Sequence, residues 1–381
     1  MEYVKINDAF KISKGKKVEQ IEEHSEELIR YIQIDDLRNN KNIKFCDGHD
    51  KYVYASKDDI IIAWDGANAG MVNYGLEGAI GSTLAVLKRT SNELLSEYVG
   101  KFLQSKFLYL KETRTGATIP HIQKAVLINL KIPKFDLTIQ RKIVNTLDKA
   151  TELIQKRQQQ IQALNDFAQS IFYDMFGDVV ENTKNFTVKK LNELTNVGSS
   201  RRVFTNEFVS AGIPFLRSTE IGKLSENKNM APTFFITKKR FKELKDITGV
   251  PQVGDILIPA ICQNGQSWVV NIDEDFYFKD SRIWWIKSNP QKFNSHYLRF
   301  MLEKKIVRDY MKLTSGTTFA ELKIFVLREL DVSLPPLELQ NEFAKIIQKI
   351  ELEKELLENN LVELEINFNA LMQKSFNNQL F

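Results

Sequence analysis

Slid against itself by 200 residues, the chain meets a copy of its own pattern, and this repeat restricts the possible folds more than any other feature. Gly116 falls on Gly316, Thr118 on Thr318, Val126 and Leu127 on Val326 and Leu327, and Leu130 on Leu330. Further on, Leu137 meets Leu337, Gln140 meets Gln340, Leu164 meets Leu364 and Phe176 meets Phe376, with no gap over the whole stretch. Upstream the register drifts, as loops of unequal length would make it. DIIIAW at Asp59 resembles DILIPA at Asp255 at an offset of 196, and LAVLK at Leu84 resembles IWWIK at Ile283 at 199. RYIQIDDL at Arg30 resembles PFLRSTEI at Pro214 at 184, and KGKKV at Lys14 resembles SSRRV at Ser199 at 185. Short apolar runs recur by chance, but chance does not keep their order. The chain reads as a tandem duplication, each half a globular part followed by a long helix. Two copies are too few for a solenoid, so each half must bury its own core.

The long helices follow from an apolar stripe in steps of three and four. In the first it runs through Ile143, Leu147, Ala150, Ile154, Ile161, Leu164, Ala168, Ile171 and Met175, with Arg157 interrupting. In the second it runs through Phe343, Ile347, Ile350, Leu357, Leu361, Leu364, Phe368 and Leu371, with Lys354 interrupting. This is the spacing of a heptad seam, which pairs two helices side by side. Pro335 and Pro336 stop whatever precedes the second helix, because proline fixes φ and has no amide donor. Each helix would span roughly 40 residues, or about 60 Å at 1.5 Å per residue, too long to bury in one domain. Packing the two as an antiparallel pair, globular parts at opposite ends, is the economical solution. The alternative is two unrelated amphipathic helices, each lying on its own domain.

The globular parts read as mixed α/β. YVYASKDDIIIAW, GSTLAVLKR, DILIPAICQ and DFYFKDSRIWWIK have the β-branched and aromatic weighting of strands, while SEYVGKFLQSKFLYLKE and NSHYLRFMLEKKIVRDYMK are helical segments in matching positions. The expected fold class is therefore α+β: two mixed α/β domains, 1–136 and 179–336, separated by an antiparallel coiled-coil pair over 137–178 and 337–379. A length of 381 residues and 43% hydrophobic content suit two real cores. The apolar runs, such as IIIAW at Ile60, are too short to cross a bilayer. The N-terminus has no apolar block of a signal peptide, and Cys46 and Cys262 lie in unrelated contexts, which together favour a reducing cytoplasm. With 53 basic and 49 acidic residues, nucleic-acid binding is permitted through local patches and not demanded by the whole.

Catalytic motifs are missing in several classes at once. Asn289-Pro290 is followed by Gln291 and Lys292, which does not make the loop of an adenine methyltransferase. GLEGAIGST at Gly75 lacks the Gly-Lys-Ser/Thr ending that holds phosphates. The four histidines, His24, His49, His121 and His296, are scattered without metal-ligand spacing. Binding features are easier to find. Each half opens with a small basic turn, SKGKK with Lys16 and Lys17, and GSSRR with Arg201 and Arg202, of the kind that releases counterions on meeting phosphate. Gln33 and Arg217 stand at equivalent places on the next strand-like segment, and glutamine suits adenine as arginine suits guanine in the major groove. TRTGATIP at Thr113, with Arg114, and LTSGTTFA at Leu313 form a second repeated loop suited to backbone contact. The plainer readings are a solvated loop for each basic turn, an exposed strand residue for Gln33 and Arg217, which is the more common fate, and turn chemistry alone for the repeated loop.

In this arrangement the chain resembles the specificity subunits of type I restriction-modification enzymes. The resemblance lies in GIPFLRSTEI, GDILIP, SGTTFAELK and VSLPPLELQ of the second half, and in the weaker IRYIQIDDL, DDIIIAW, TGATIPHIQ and KIPKFDLTIQ of the first. It implies a non-catalytic DNA-reading subunit whose two target-recognition domains each read one half of a split site in double-stranded DNA. It further implies that the paired helices set the spacer and dock two methyltransferase subunits. Those partners would carry S-adenosylmethionine, with no cofactor in this chain, and restriction subunits could join them. Carried over by position, Lys16, Lys17, Gln33, Arg201, Arg202 and Arg217 are candidate DNA contacts. The first half has Phe135-Asp136 where the second has Pro335-Pro336, a departure from the pattern. Two other readings compete: a coiled-coil scaffold with protein-binding ends, and an enzyme with an unrecognised site.

Overall fold

The computed structural model describes residues 2–21, 28–116, 118–226, 228, 231–315, 320–377 and 379–380. The chain divides into two compact units, Met1–Gln158 with Asn360–Phe381, and Gln159–Asn359. Each unit is mixed α/β and contains half of each long helix.

In the first unit an antiparallel sheet runs in the order Phe10–Lys14, Leu84–Arg89, Ile60–Ala63, Val72–Tyr74. All four residues of Ile60–Ala63 are buried, which is why this central strand reads as an unbroken apolar run. A second sheet runs Lys44–Cys46, Ile29–Ile32, Gly78–Ile80, Tyr54–Ala55, and its middle pair is parallel, with Tyr31 opposite Ala79. Glu2–Lys5 pairs antiparallel with Lys131–Lys134, the strand leading into the first long helix.

The second unit repeats this plan. Its first sheet runs Val197–Gly198, Ile283–Ile286, Ile256–Pro259, Trp268–Val269. Its second sheet again has a parallel step, Ile213–Leu216 beside Tyr277–Phe278, with Phe215 opposite Tyr277. Thr187–Lys190 pairs with Asp331–Leu334, which leads into the second long helix. Two things differ. A helix at Ser218–Ser225 replaces the single turn Ile34–Leu37, and a helix at Lys238–Thr248 has no counterpart between Leu37 and Ile60.

The long helices span Leu137–Phe176 and Leu337–Phe376, each unbroken over 40 residues. Within the first unit Ile143 and Leu147 share a core with Phe368, Leu371, Met372 and Phe376; within the second, Phe343 and Ile347 share one with Leu164, Ile171, Phe172 and Phe176. The start of one helix thus meets the end of the other in both units, an antiparallel pairing. Of the remaining seam positions Ile154, Ile161, Leu357, Leu361 and Leu364 are half-buried, as expected where only two helices cover each other. The interrupting Lys354 is also half-buried, and its ammonium donates to Asn165 Oδ1 at 2.8 Å.

The repeated residues turn out to be fasteners. Phe376 packs on Tyr98 with ring centres 5.5 Å apart, and Phe176 on Tyr297 at 4.7 Å. Those tyrosines donate to the carbonyls of Pro133 and Ser333, tying helix to strand in the same place in both units. Gln140 and Gln340 are fully buried at the helix starts, where they bind backbone groups of the adjoining domain. Asp59 and Asp255, both buried, accept from the backbone amides of Ser56 and Gln252 and close the turn before each central strand. Of the repeated loop, residues 117 and 316–319 lie outside the described residues, so Gly316 and Thr318 carry no structural account. Among the described residues no helix is long and apolar enough to cross a membrane, and no group of three or more metal-ligating side chains comes together.

Candidate nucleic-acid interface

The two basic turns occupy equivalent positions, directly after the edge strand of each first sheet. Lys16, Lys17, Arg201 and Arg202 are all exposed, and each pair is followed by a buried valine, Val18 or Val203, that fixes the turn to its domain. The small residues beside them serve the fold. A Cβ on Gly15 would stand 2.1 Å from the carbonyl oxygen of Gly81, so only glycine fits. Ser199 and Ser200 donate to the carbonyls of Ile283 and Phe278, at 2.8 and 2.7 Å. The Arg201 amide donates to the Tyr277 hydroxyl at 2.8 Å. The turn is therefore rigid, and only its guanidinium groups are left for a ligand. Arg202 stands over the exposed ring of Phe204, 5.4 Å from its centre.

Gln33 and Arg217 do occupy matching places, each the residue before the turn or helix that follows the parallel strand. The structure shows why that position recurs. The amide of Gln33 donates to Asp36, and the amide of Arg217 to Glu220, so a buried carboxylate three residues on caps the turn in both units. The side chain of Arg217 is committed to this arrangement. It donates to both oxygens of Glu220, reaches Thr233, and stacks over Phe234 at 4.5 Å. Burial pushes the Glu220 carboxyl up, but hydrogen bonds from Arg217 and Thr219 outweigh it and hold the group below the usual carboxylate range. In the first unit Arg30 forms the corresponding ion pair with Asp36, at 2.6 Å. Arg114 is likewise engaged, donating to the carbonyls of Lys111 and Ala67 at 2.8 and 2.9 Å and so latching the 66–70 turn.

A further basic element lies outside the repeat, in the second unit alone. KKRFKELKDIT at Lys238–Thr248 is a helix, and its Lys238, Lys239, Lys242 and Lys245 are exposed. Its signals were available: Thr237 caps it by accepting the Arg240 amide, and Gly249, at φ 77°, ends it. The helix joins the Arg201 turn through Tyr277, whose hydroxyl also lies 3.3 Å from Thr248 Oγ1, and through Arg240, which pairs with Glu207 at 2.6 Å. Its charge is part of a wider imbalance. Residues 179–336 carry 24 Lys and Arg against 17 Asp and Glu, whereas residues 1–136 carry 20 against 19.

The family model for the type I restriction modification DNA specificity domain matches residues 1–165 and again 183–366. The chain belongs to this family. Two adjacent matches to one model also account for the repeat. The type I restriction enzyme MjaVIII specificity subunit of Methanocaldococcus jannaschii is 25% identical over 371 residues, 92% of this chain and 86% of that protein. A putative type I restriction enzyme specificity subunit of Haemophilus influenzae is 28% identical over 305 residues, 77% of this chain and 74% of its own. Among solved structures, the type I restriction-modification S subunit from M. genitalium superposes with a TM-score of 0.58 at 18% identity. The match covers 98% of this chain and 96% of that one, and so shares the fold.

Proposed function

We propose that this chain is the DNA-specificity subunit of a type I restriction-modification enzyme. Residues 1–136 and 179–336 act as its two target-recognition domains, each reading half of a split duplex target. The doubled family match, laid over two units of one topology with different exposed surfaces, is the observation that carries this reading. Common architecture positions both readers alike, while their loops differ, as they must to read different bases. The outward faces of the long helices carry exposed apolar side chains, among them Leu153, Phe167, Leu352, Leu356, Val362 and Ile366, which suit docking of the methyltransferase subunits and, where present, restriction subunits. S-adenosylmethionine and the chemistry belong to those partners. This chain contributes position and base choice, with no catalytic step of its own, in the cytoplasm.

The test is binding of duplex DNA by the chain alone and by the chain assembled with its methyltransferase subunits. Sequence preference should appear, or sharpen strongly, on assembly. Tight, partner-independent binding at one continuous site would contradict the proposal. So would retention of function after charge reversal of Arg201 and Arg202, which a protein-binding scaffold would tolerate.

A further inference from the structure

We infer that the helix Lys238–Thr248 is a phosphate anchor: Lys238, Lys242 and Lys245 hold the sugar–phosphate backbone of the duplex without reading its bases. This rests on the DNA-reading function above and adds which part of the duplex the helix takes.

The helix is pinned to its domain by Phe241 and Leu244, both buried. At about 100° per residue, with those two facing inward, Lys238, Lys242 and Lys245 fall along one flank, within roughly 60° of one another. Arg240 and Glu243 fall on the other. Arg240 is spent on Glu207 and Glu243, at 2.6 and 3.1 Å. Among the described residues no carboxylate forms an ion pair with Lys238, Lys242 or Lys245. Asp246, one turn beyond Lys242, offsets part of the charge and Lys245 Nζ stands 5.9 Å over the Phe241 ring, so the lysine flank keeps a net positive charge.

At the helix start the charge is placed against local preference, whereas Lys245, in the last turn, stands where the dipole favours a cation. Lys238 and Lys239 sit in the first turn, with no acidic residue there, where the helix dipole disfavours a cation by about 0.3–1 kcal/mol each. A helix retained only for packing gains nothing from this arrangement; an anion docked on it does. The side chains also fit phosphate better than bases. Base edges are read by bidentate Arg, Asn or Gln, but this helix has no Asn or Gln and its only arginine is occupied. Lysine supplies a mobile point charge, which suits a phosphate oxygen. From Lys238 to Lys245 the helix rises about 10 Å, and one strand's phosphates advance about 3.4 Å along the duplex axis, so the flank spans about three of them. Because the helix is inserted in one half only, the salt-dependent part of the affinity is concentrated in residues 179–336.

The experiment compares the assembled complex carrying wild-type chain, K238Q/K242Q/K245Q and K238R/K242R/K245R, on a short mixed-sequence duplex between 50 and 200 mM salt. Losing three phosphate contacts should flatten the log–log salt slope by about 2.7, so the wild type should lose about 40-fold more affinity than the Gln variant over that range. The Arg variant should keep the wild-type slope. Selection from a randomised duplex pool should return the same base preferences for all three. An unchanged slope in the Gln variant would overturn the inference, leaving a merely solvated face. Altered base preference would also overturn it, by making these lysines readers, as would failed assembly, by making the flank a protein contact. A wild-type complex indifferent to sequence, yet losing its slope in the Gln variant, would sink the base-reading function and keep the anchor.

Discussion

Gln140 and Gln340, the repeated glutamines at the start of each long helix, allow a quantitative test of how the domains are fixed to the helices. Gln140 accepts the Leu95 amide and donates to the carbonyls of Glu93 and Phe135, all at 2.8 Å. Gln340 accepts the Asn294 amide at 2.9 Å and donates to the Pro335 carbonyl at 2.8 Å. Both side chains are buried, 0% and 1% exposed, so neither set of partners is readily replaced by water. Methionine fills nearly the same volume without the polar atoms. At about 1 kcal/mol per lost bond, Gln140→Met should cost about 3 kcal/mol in the first unit and Gln340→Met about 2 kcal/mol in the second. Because a chain of two units need not unfold in one step, the assay is hydrogen exchange followed peptide by peptide in the full chain. Protection should fall around 93–95 and 131–147 in the first variant, and around 293–295 and 331–347 in the second. Costs below about 0.5 kcal/mol would show that these bonds are not net stabilising, and a larger loss for Gln340→Met would contradict the scaling with bond number.

Replacing Arg201 and Arg202 together with glutamine should lower the salt slope of DNA binding by the assembled complex by about 2, measured by titration at several salt concentrations. Arg114→Ala should instead destabilise the first unit by about 1–2 kcal/mol in urea denaturation, through its lost carbonyl bonds, with the salt slope unmoved. Burial raises the carboxyl of Glu303 above its ordinary 4.5, against the lowering influence of Arg299 and Lys304. The folded chain therefore holds this proton to higher pH than the unfolded chain, and the second unit loses stability as pH rises through the raised value. Glu303→Gln should accordingly stabilise that unit at pH 7, with the gain vanishing below pH 4.5, as followed by thermal melts across pH.

Much of the architecture was legible because it rests on periodicity and repetition. The heptad stripe marked both long helices, and the matched phrases marked equivalent elements even where loops changed the offset from 184 to 200. The structure gives those matches reasons the sequence could not: Gln140 with Gln340, Tyr98 with Tyr297 and Asp59 with Asp255 are buried hydrogen-bonding residues, and burial is a property of the fold. The site was harder to read for the same reason. Arg217 and Arg114 look like free cations in the sequence, but their partners Glu220, Phe234 and the Ala67 carbonyl become neighbours only on folding. The lysine-rich helix escaped because the comparison of halves looks for what is shared, and this element is present in one half alone. Its capping threonine and terminal glycine would have revealed it to a reading of the second half by itself.

In the proposed function each globular domain chooses half of a split target. That division is tested by replacing residues 179–336 with the corresponding domain of another family member, assembling the hybrid with the proposed methyltransferase partners, and mapping methylated adenines on genomic DNA. One half of the modified motif should change while the other half is kept. A motif that is wholly unchanged, or wholly replaced, would contradict the account.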